Sequence, residues 1–169
     1  MALTPFQTTL LDAINADPAL AQYATDRRDD LIAEAFNAIA SPAFYVWRTD
    51  VTRAEIYHQT SAQGTTWSWT TYKAQNVTEQ NAWTQMFMGE VADFSLPNLR
   101  AGVEAIFSGT GAPLAQRTHV ANIAKRKARR AEKLFSETSG GNGAVGTPAT
   151  MTWQGLLTTS DISAILNSL

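Results

Sequence analysis

The chain has 169 residues, of which 44% are hydrophobic and 17% are charged, and its formal net charge is −2 at pH 7. This composition is typical of a folded domain, because disordered chains carry fewer apolar residues and more charge. Cysteine is absent, which excludes disulfides, thiolate metal ligands and thiol catalysis. No apolar run approaches the roughly 20 residues that a membrane-spanning helix needs. We therefore predict a single domain over residues 1–169 with no membrane segment.

Two start signals predict helices in the first forty residues. The pairs Thr4-Pro5 and Asp17-Pro18 each combine a capping side chain with a proline suited to the first helical position. Apolar residues then keep helical spacing after each pair. The charged run Asp26–Asp30 marks either a break between two helices or a solvated helix face.

Short strands and short helices are predicted in the next part of the chain. The segment Phe44–Trp47 is aromatic and β-branched, as strands are. Thr52 and Glu55 have the spacing of a capping box and predict a short helix. The segment Thr65–Tyr72 alternates tryptophans with Ser and Thr, which predicts a strand.

Three helices are predicted in the second half. Asn76 or Thr78 caps the first, and Pro97 stands at the start of the second. After a break rich in glycine, the longest helix is predicted from Pro113 to Phe135, because its alanines have the best helix propensity.

The C-terminal region is predicted to contain a flexible glycine-rich loop over residues 138–148 and a strand–helix segment over residues 149–169. Thr150–Trp153 alternates as a strand does, and Thr159–Asp161 caps a final helix. The fold class predicted from these elements is mainly α: a helical bundle of about five to six helices with two or three short strands.

Charge is distributed unevenly along the sequence. Residues 1–104 contain 6 Lys and Arg against 12 Asp and Glu, whereas residues 105–169 contain 7 against 3. The seven basic residues lie in one stretch, and five of them (Lys125, Arg126, Lys127, Arg129 and Arg130) are predicted on the exposed face of the long helix, to contact DNA phosphate, an acidic protein surface or solvent. The seven candidates are Arg117, Lys125, Arg126, Lys127, Arg129, Arg130 and Lys133.

Small and aromatic residues supply the candidates for a packing interface. Alanines on the opposite face of the long helix would let a neighbouring helix approach closely, and tryptophans favour either the core or protein–protein contacts. The candidates are Ala121, Ala124, Ala128, Ala131, Trp67, Trp69 and Trp153.

No catalytic or metal-binding signature is present in the sequence. His58 and His119 lie far apart and in no metal-ligand spacing. A Ser/His/Asp triad needs only to meet in space, so a hydrolase remains a further hypothesis. We predict no catalytic residue, no metal and no cofactor.

Several segments resemble a family of small proteins encoded in the structural modules of tailed bacteriophages. The resemblance covers roughly residues 44–161. The segments that carry it are Phe44–Thr49, Leu96–Gly109, Arg117–His119, Lys125–Arg126, Ala131–Phe135 and Pro148–Gly155.

The resemblance implies a head–tail connector, or neck adaptor, of the virion, assembled in the cytoplasm of the bacterial host. Such proteins are mostly helical, bind no cofactor and form a ring, commonly twelve-fold, beneath the portal. The implied partners are copies of the same chain, the portal protein and a tail or terminator protein, with non-specific contact to double-stranded DNA in the channel. The alternatives are a tail terminator or completion protein of the same neck, and a non-sequence-specific double-stranded-DNA-binding module.

Overall fold

The computed structural model describes residues 3–137 and 141–168, which form two compact units. Within the described residues, unit 1 contains residues 3–44, 127–137 and 151–168, and unit 2 contains residues 45–126 and 141–150. Two compact units can belong to one domain, so the single domain over residues 1–169 stays a prediction. The first three residues of the predicted loop 138–148 lie outside the described residues.

Unit 1 consists mainly of helices. They are α1 (Pro5–Ala16), α2 (Pro18–Thr25), α3 (Asp29–Asn37), α9 (Arg130–Leu134) and α10 (Thr159–Leu166). The short strand β5 (Ser136–Glu137) also belongs to this unit.

Capping side chains fix the first helix boundaries where the sequence predicts them. The Thr4 hydroxyl accepts a hydrogen bond from the Gln7 amide, and the Asp17 carboxylate accepts one from the Ala19 amide at 2.9 Å. The charged run contains the break between α2 and α3, because residues 26–28 lie between the two helices and Asp29 begins α3; Arg27 in that break has a φ of 55°. The first of the two interpretations of Asp26–Asp30 is therefore confirmed.

The core of unit 1 forms where α3 packs against α2, α9 and α10. Asn37, at the end of α3, anchors the segment before α10, because its side-chain amide donates to the Leu157 carbonyl and accepts from the Leu157 amide, at 2.8 and 2.9 Å. The largest fully buried side chains of this core are Leu10, Ile14, Leu20, Ile32, Phe36, Ile162 and Ile165.

Unit 2 combines short strands with five helices. In chain order its elements are β1 (Tyr45–Trp47), β2 (Val51–Thr52), α4 (Arg53–His58), α5 (Trp69–Lys73), α6 (Val77–Met86), β3 (Val91–Ala92), α7 (Pro97–Ile106) and α8 (Ala112–Ile123). The strands β4 (Lys125–Lys127) and β6 (Thr150–Met151) each include residues of both units.

The strands of the described residues pair into three two-stranded sheets: β1 with β4, β2 with β3, and β5 with β6. The β2–β3 pair is antiparallel, with Val51 opposite Ala92. On β1, Val46 forms a parallel bridge with Ala149, where the Ala149 amide donates to the Tyr45 carbonyl at 2.9 Å. The pairing of β1 is therefore entirely between segments distant in the sequence.

Aromatic side chains dominate the core of unit 2. Trp83 on α6 is fully buried, and its Nε1 donates to the Tyr57 hydroxyl at 2.9 Å. Trp67 stacks on Trp83 with ring centroids 5.2 Å apart, and Phe107 meets Trp83 edge to face at 5.4 Å. This cluster holds α4, α6 and the end of α7 together.

The predicted fold class is wrong. Ten helices account for 52% of the structure and strands for 12%, so the described chain is mixed α/β rather than a bundle of five to six helices. The predicted helix count is too low because chain breaks, such as the one at Asp26–Asp30, divide long apolar patterns into short helices.

The long helix predicted over Pro113–Phe135 is also wrong, because the structure divides it into α8, β4 and α9. The Arg48 amide donates to the Ala124 carbonyl at 2.8 Å, and the Ala128 amide donates to the Phe44 carbonyl at 2.8 Å. Strand pairing thus replaces helical hydrogen bonds here. Tertiary contacts override the helix propensity of the alanines.

The strand predicted over Thr65–Tyr72 is not formed either. The Ser68 hydroxyl accepts a hydrogen bond from the Thr71 amide at 3.2 Å and caps α5, while the Ser68 amide donates to the Gln116 side chain at 3.0 Å. A serine that satisfies helix amides favours the helix over the strand.

We expect Trp83→Ala to destabilise the protein by about 3–5 kcal/mol, because a large buried ring is replaced by a cavity. The matched control is Trp69→Ala, since the Trp69 side chain is 46% exposed; its cost should be about 1 kcal/mol. Chemical denaturation followed by circular dichroism measures both. Equal costs for the two variants would contradict the aromatic core described above.

Candidate interaction surfaces

Two of the predicted basic candidates bind backbone carbonyls of their own unit. Arg117 on α8 donates from Nη1 to the carbonyls of Phe107 and Gly109, both at 2.7 Å, and so closes the C-terminal end of α7. Lys125 donates from Nζ to the Val145 carbonyl at 2.8 Å. Burial lowers the pKa of Lys125. Both side chains hold unit 2 together.

Two further candidates are engaged within unit 1. Arg130 donates from Nη2 to the Asp17 carboxylate at 2.8 Å, and its guanidinium lies 5.3 Å from the centre of the Phe36 ring. The hydrogen bond from Arg130, followed by the Ala19 amide, lowers the pKa of Asp17. Lys133 places Nζ 5.6 Å from the centre of the Phe44 ring.

The remaining three candidates lie on β4 and at the start of α9. Arg126 and Lys127 are half-buried and exposed, respectively, and both take part in further contacts. The Arg129 amide donates to the Glu132 carboxylate at 2.8 Å. Because the predicted helix is not formed, the structure does not place the seven basic residues on one helix face.

The predicted alanine surface is largely interior. Ala124, Ala128 and Ala131 are fully buried, Ala124 in the core of unit 2 and Ala131 in the core of unit 1. Ala121 is half-buried. Ala124, Ala128 and Ala131 are therefore not accessible to a neighbouring copy.

The three tryptophan candidates have different environments. Trp67 is half-buried in the aromatic core, while Trp69 is 46% exposed with its ring 4.7 Å from Tyr57. In unit 1, Trp153 is half-buried against Phe6, with ring centroids 5.4 Å apart. Of the three, Trp69 presents the largest free surface.

A groove of about 1140 Å³ lies in unit 1 between α1, α3 and α9. Small side chains such as Ala13, Ala16 and Ala35 line it together with Ile39 and Leu134, which are 56% and 37% exposed. Sequence reasoning missed this groove. One feature of the sequence could have indicated it: Ile39 is apolar but lies beyond the last residue of α3.

His119 is fully buried in unit 2, and among the described residues its ring nitrogens contact Thr65 and Ile56 rather than a serine and a carboxylate. Its Nδ1 lies 3.1 Å from the Thr65 hydroxyl, and its Nε2 lies 2.8 Å from the Ile56 carbonyl. Asn122 on the same helix donates to the Thr65 hydroxyl at 3.3 Å. The histidine therefore fixes the 59–68 loop to α8. The other histidine, His58, is exposed at the end of α4.

Arg48, which sequence reasoning also missed, joins several segments of unit 2. Its side chain donates from Nε to the Asp50 carboxylate at 3.0 Å and lies 2.9 Å from the Glu55 carboxylate. Its carbonyl accepts from the Phe94 amide at 2.9 Å. The hydrogen bond from Arg48 lowers the pKa of Asp50 against the opposing effect of burial.

The Glu55 carboxylate forms an ion pair with Arg48 and also takes part in the cap of α4. Burial by itself raises the pKa of Glu55, but the Thr52 amide, which donates at 2.8 Å, and Arg48 outweigh burial and lower it. The predicted capping box of Thr52 and Glu55 is thus confirmed and has an additional ionic partner.

Within residues 3–137 and 141–168, no three His, Asp or Glu side chains lie close enough together to hold a metal ion. None of the helices in the described part of the chain has the length and apolar character required to span a bilayer.

We expect Ala124→Leu to destabilise the fold by about 1–3 kcal/mol, because added methyl groups must be forced into a filled core. Ala121→Leu is the control on the same helical segment, and its effect should stay within about 0.5 kcal/mol. Thermal and urea unfolding of both variants provide the measurement. A neutral Ala124→Leu would show that this position is not tightly packed.

We expect Arg48→Met to cost about 2 kcal/mol at pH 7, because two carboxylates lose a charged hydrogen-bond donor. A carboxyl whose pKa is lower in the folded state stabilises the protein above its ordinary pKa of about 4. That stabilisation is lost as the pH falls through the folded-state pKa. The difference between Arg48→Met and the natural chain should therefore shrink at pH 3.

The measurement is guanidinium unfolding at pH 7 and pH 3. Arg53→Met, at an exposed arginine of α4, removes the same charge and serves as control. If the two variants lose equal stability at pH 7, the ion pairs of Arg48 contribute nothing specific.

In comparisons with known proteins, no family model, no curated protein and no solved structure matches this chain.

Proposed function

We propose that the chain is a structural subunit of a tailed-phage virion: a head–tail connector that forms a ring, docks to the portal and joins it to the tail while DNA passes. The proposal begins from the resemblance of residues 44–161 to phage neck proteins. It places the protein in the neck of the virion and requires no reaction and no cofactor.

The strongest support is that residues in the segments resembling phage neck proteins make structural contacts within unit 2. Arg117 closes the end of α7 by binding the carbonyls of Phe107 and Gly109. The segment at Ala149 pairs with β1, β1 also pairs with β4, and the Arg48 amide just after β1 donates to the Ala124 carbonyl at the end of α8. These residues maintain a shape, which is what an assembly subunit needs, and they converge on no reactive group.

Exposed apolar side chains give further support. Ile39 and Leu156 in unit 1 are 56% and 60% exposed, and Val77 and Met88 in unit 2 are 73% and 80% exposed. A subunit of a closed ring contacts neighbours through two different surfaces. Apolar side chains exposed on both units fit that requirement.

The alternative of a double-stranded-DNA-binding module has less support. Arg117, Lys125, Arg130 and Lys133 all contact carbonyls, a carboxylate or a ring within the chain. Phosphate binding would have to compete with these contacts. The tail terminator alternative fits less well too, because terminators contain more β structure than the 12% present here.

Sedimentation velocity of the purified chain over a range of concentrations tests the proposal. We expect the sedimentation coefficient to rise with concentration, and negative-stain micrographs to contain closed rings. Mass spectrometry of purified phage particles should detect the chain among the neck proteins.

A chain that stays monomeric at the highest concentration and is missing from particles would contradict the proposal. Binding of double-stranded DNA by the monomer, weakening steeply with salt, would favour the DNA-binding module instead. Turnover of a small molecule would exclude both readings.

A further inference from the structure

The groove of unit 1 is an apolar concavity with charged residues at its edge. Its alanine-rich wall is joined by the exposed side chains of Ile39 and Leu134. Arg130, Lys133 and Asp17 also line it, so the lining carries one net positive charge. At about 1140 Å³ the groove exceeds the volume usual for a small-molecule pocket. A protein segment is the occupant that suits this size.

An exposed turn of unit 2 carries a negative charge, opposite to that of the groove. It leads from α6 through Met88, Gly89 and Glu90 to Val91, the first residue of β3, and the Met88 and Val91 side chains are 80% and 49% exposed. The sequence from residue 74 to residue 99 contains three acidic residues and no Lys or Arg. The turn therefore presents two apolar side chains beside a carboxylate.

Backbone hydrogen bonds and two buried flanking residues support the turn. Phe87 before it and Ala92 after it are 5% and 2% exposed. The Met88 amide donates to the Gln85 carbonyl at 3.2 Å, and the Glu90 amide donates to the Phe87 carbonyl at 3.1 Å. Glu90 has a φ of 69°, in the left-handed region. A segment already ordered loses little conformational entropy when it binds.

We propose that the groove of unit 1 in one copy receives the Met88–Val91 turn of a second copy. Met88 and Val91 pack against Ile39 and the alanine wall, and Glu90 faces the positive edge that includes Lys133. The contact joins two different surfaces, so it propagates from copy to copy and closes into a ring where the rotation allows. This inference rests on the proposed function and names the contact by which the ring forms.

Disulfide cross-linking tests the contact, because the natural sequence has no cysteine and hence no background. The Ile39→Cys chain, carrying an affinity tag, is mixed with the Met88→Cys chain under mild oxidation. The control mixes Ile39→Cys with Val77→Cys, whose site is 73% exposed and also in unit 2. We expect about ten-fold more mixed dimer with Met88→Cys, because a seated turn raises the effective thiol concentration.

A charge exchange tests the same contact independently. Glu90→Lys in the Met88→Cys chain should lower the yield of mixed dimer several-fold, and Lys133→Glu in the Ile39→Cys chain should restore it. Circular dichroism of each variant verifies that it is folded. Restoration by the second change distinguishes a direct contact from a general loss of structure.

Equal cross-linking with Met88→Cys and Val77→Cys would overturn the inference, as would a dominant Ile39–Ile39 product from two grooves facing each other. If rings form in micrographs while the Met88→Cys yield equals the control, this contact is wrong and the proposed function stands. If the chain is monomeric, missing from phage particles and also fails to cross-link, both are wrong. A strong Met88→Cys product without rings supports the contact and counts against the ring.

Discussion

Arg48 joins the segments from which unit 2 is built, and the rest of that unit depends on it. Its backbone links the end of β1 to the end of α8 and to the segment that precedes α7. Its side chain binds Asp50 and Glu55, and Glu55 at the same time caps α4. Since the Arg48 and Glu55 side chains are only 18% and 22% exposed, their ionic contact is shielded from solvent more than ordinary surface pairs are. One residue, through its backbone and its side chain, thus joins elements that are far apart in the sequence.

In unit 1, too, single residues join segments that are distant in the sequence. Asn37 exchanges two hydrogen bonds with the backbone of Leu157, which fixes the chain before α10 against the end of α3. The Asp17 carboxylate both caps α2 and accepts a hydrogen bond from Arg130 of α9. In both units, therefore, a residue that ends or begins a helix also binds a distant segment. Because these residues both begin or end a helix and bind a distant segment, short helices can pack together without long interfaces.

Charged and small side chains that have partners inside the folded chain are less available for contacts with other molecules. Side chains that look available for DNA or for a neighbouring copy when the sequence is read alone already have partners in the folded chain, as Arg117 and Ala124 illustrate. The groove at Ile39 and the turn at Met88, by contrast, keep apolar side chains exposed. In the contact proposed between two copies, apolar burial supplies the main attraction and the charges of Glu90 and Lys133 add a part that salt weakens.

The sequence by itself determined the features that depend on neighbouring residues. The caps at Thr4, Asp17, Thr52 and Asn76 are local hydrogen bonds between a side chain and an amide two or three residues away, so their spacing predicts them. The strand Tyr45–Trp47 also forms within the predicted segment.

Only the tertiary structure decided the features that depend on distant partners. The alanines between α8 and α9 favour a helix, but hydrogen bonds from Arg48 and to Phe44 draw that segment into strand pairing. The groove of unit 1 and the polar contacts of His119 likewise join residues separated by many positions. Local propensities differ by less than about 1 kcal/mol per residue, so a few distant hydrogen bonds and buried side chains are enough to reverse them.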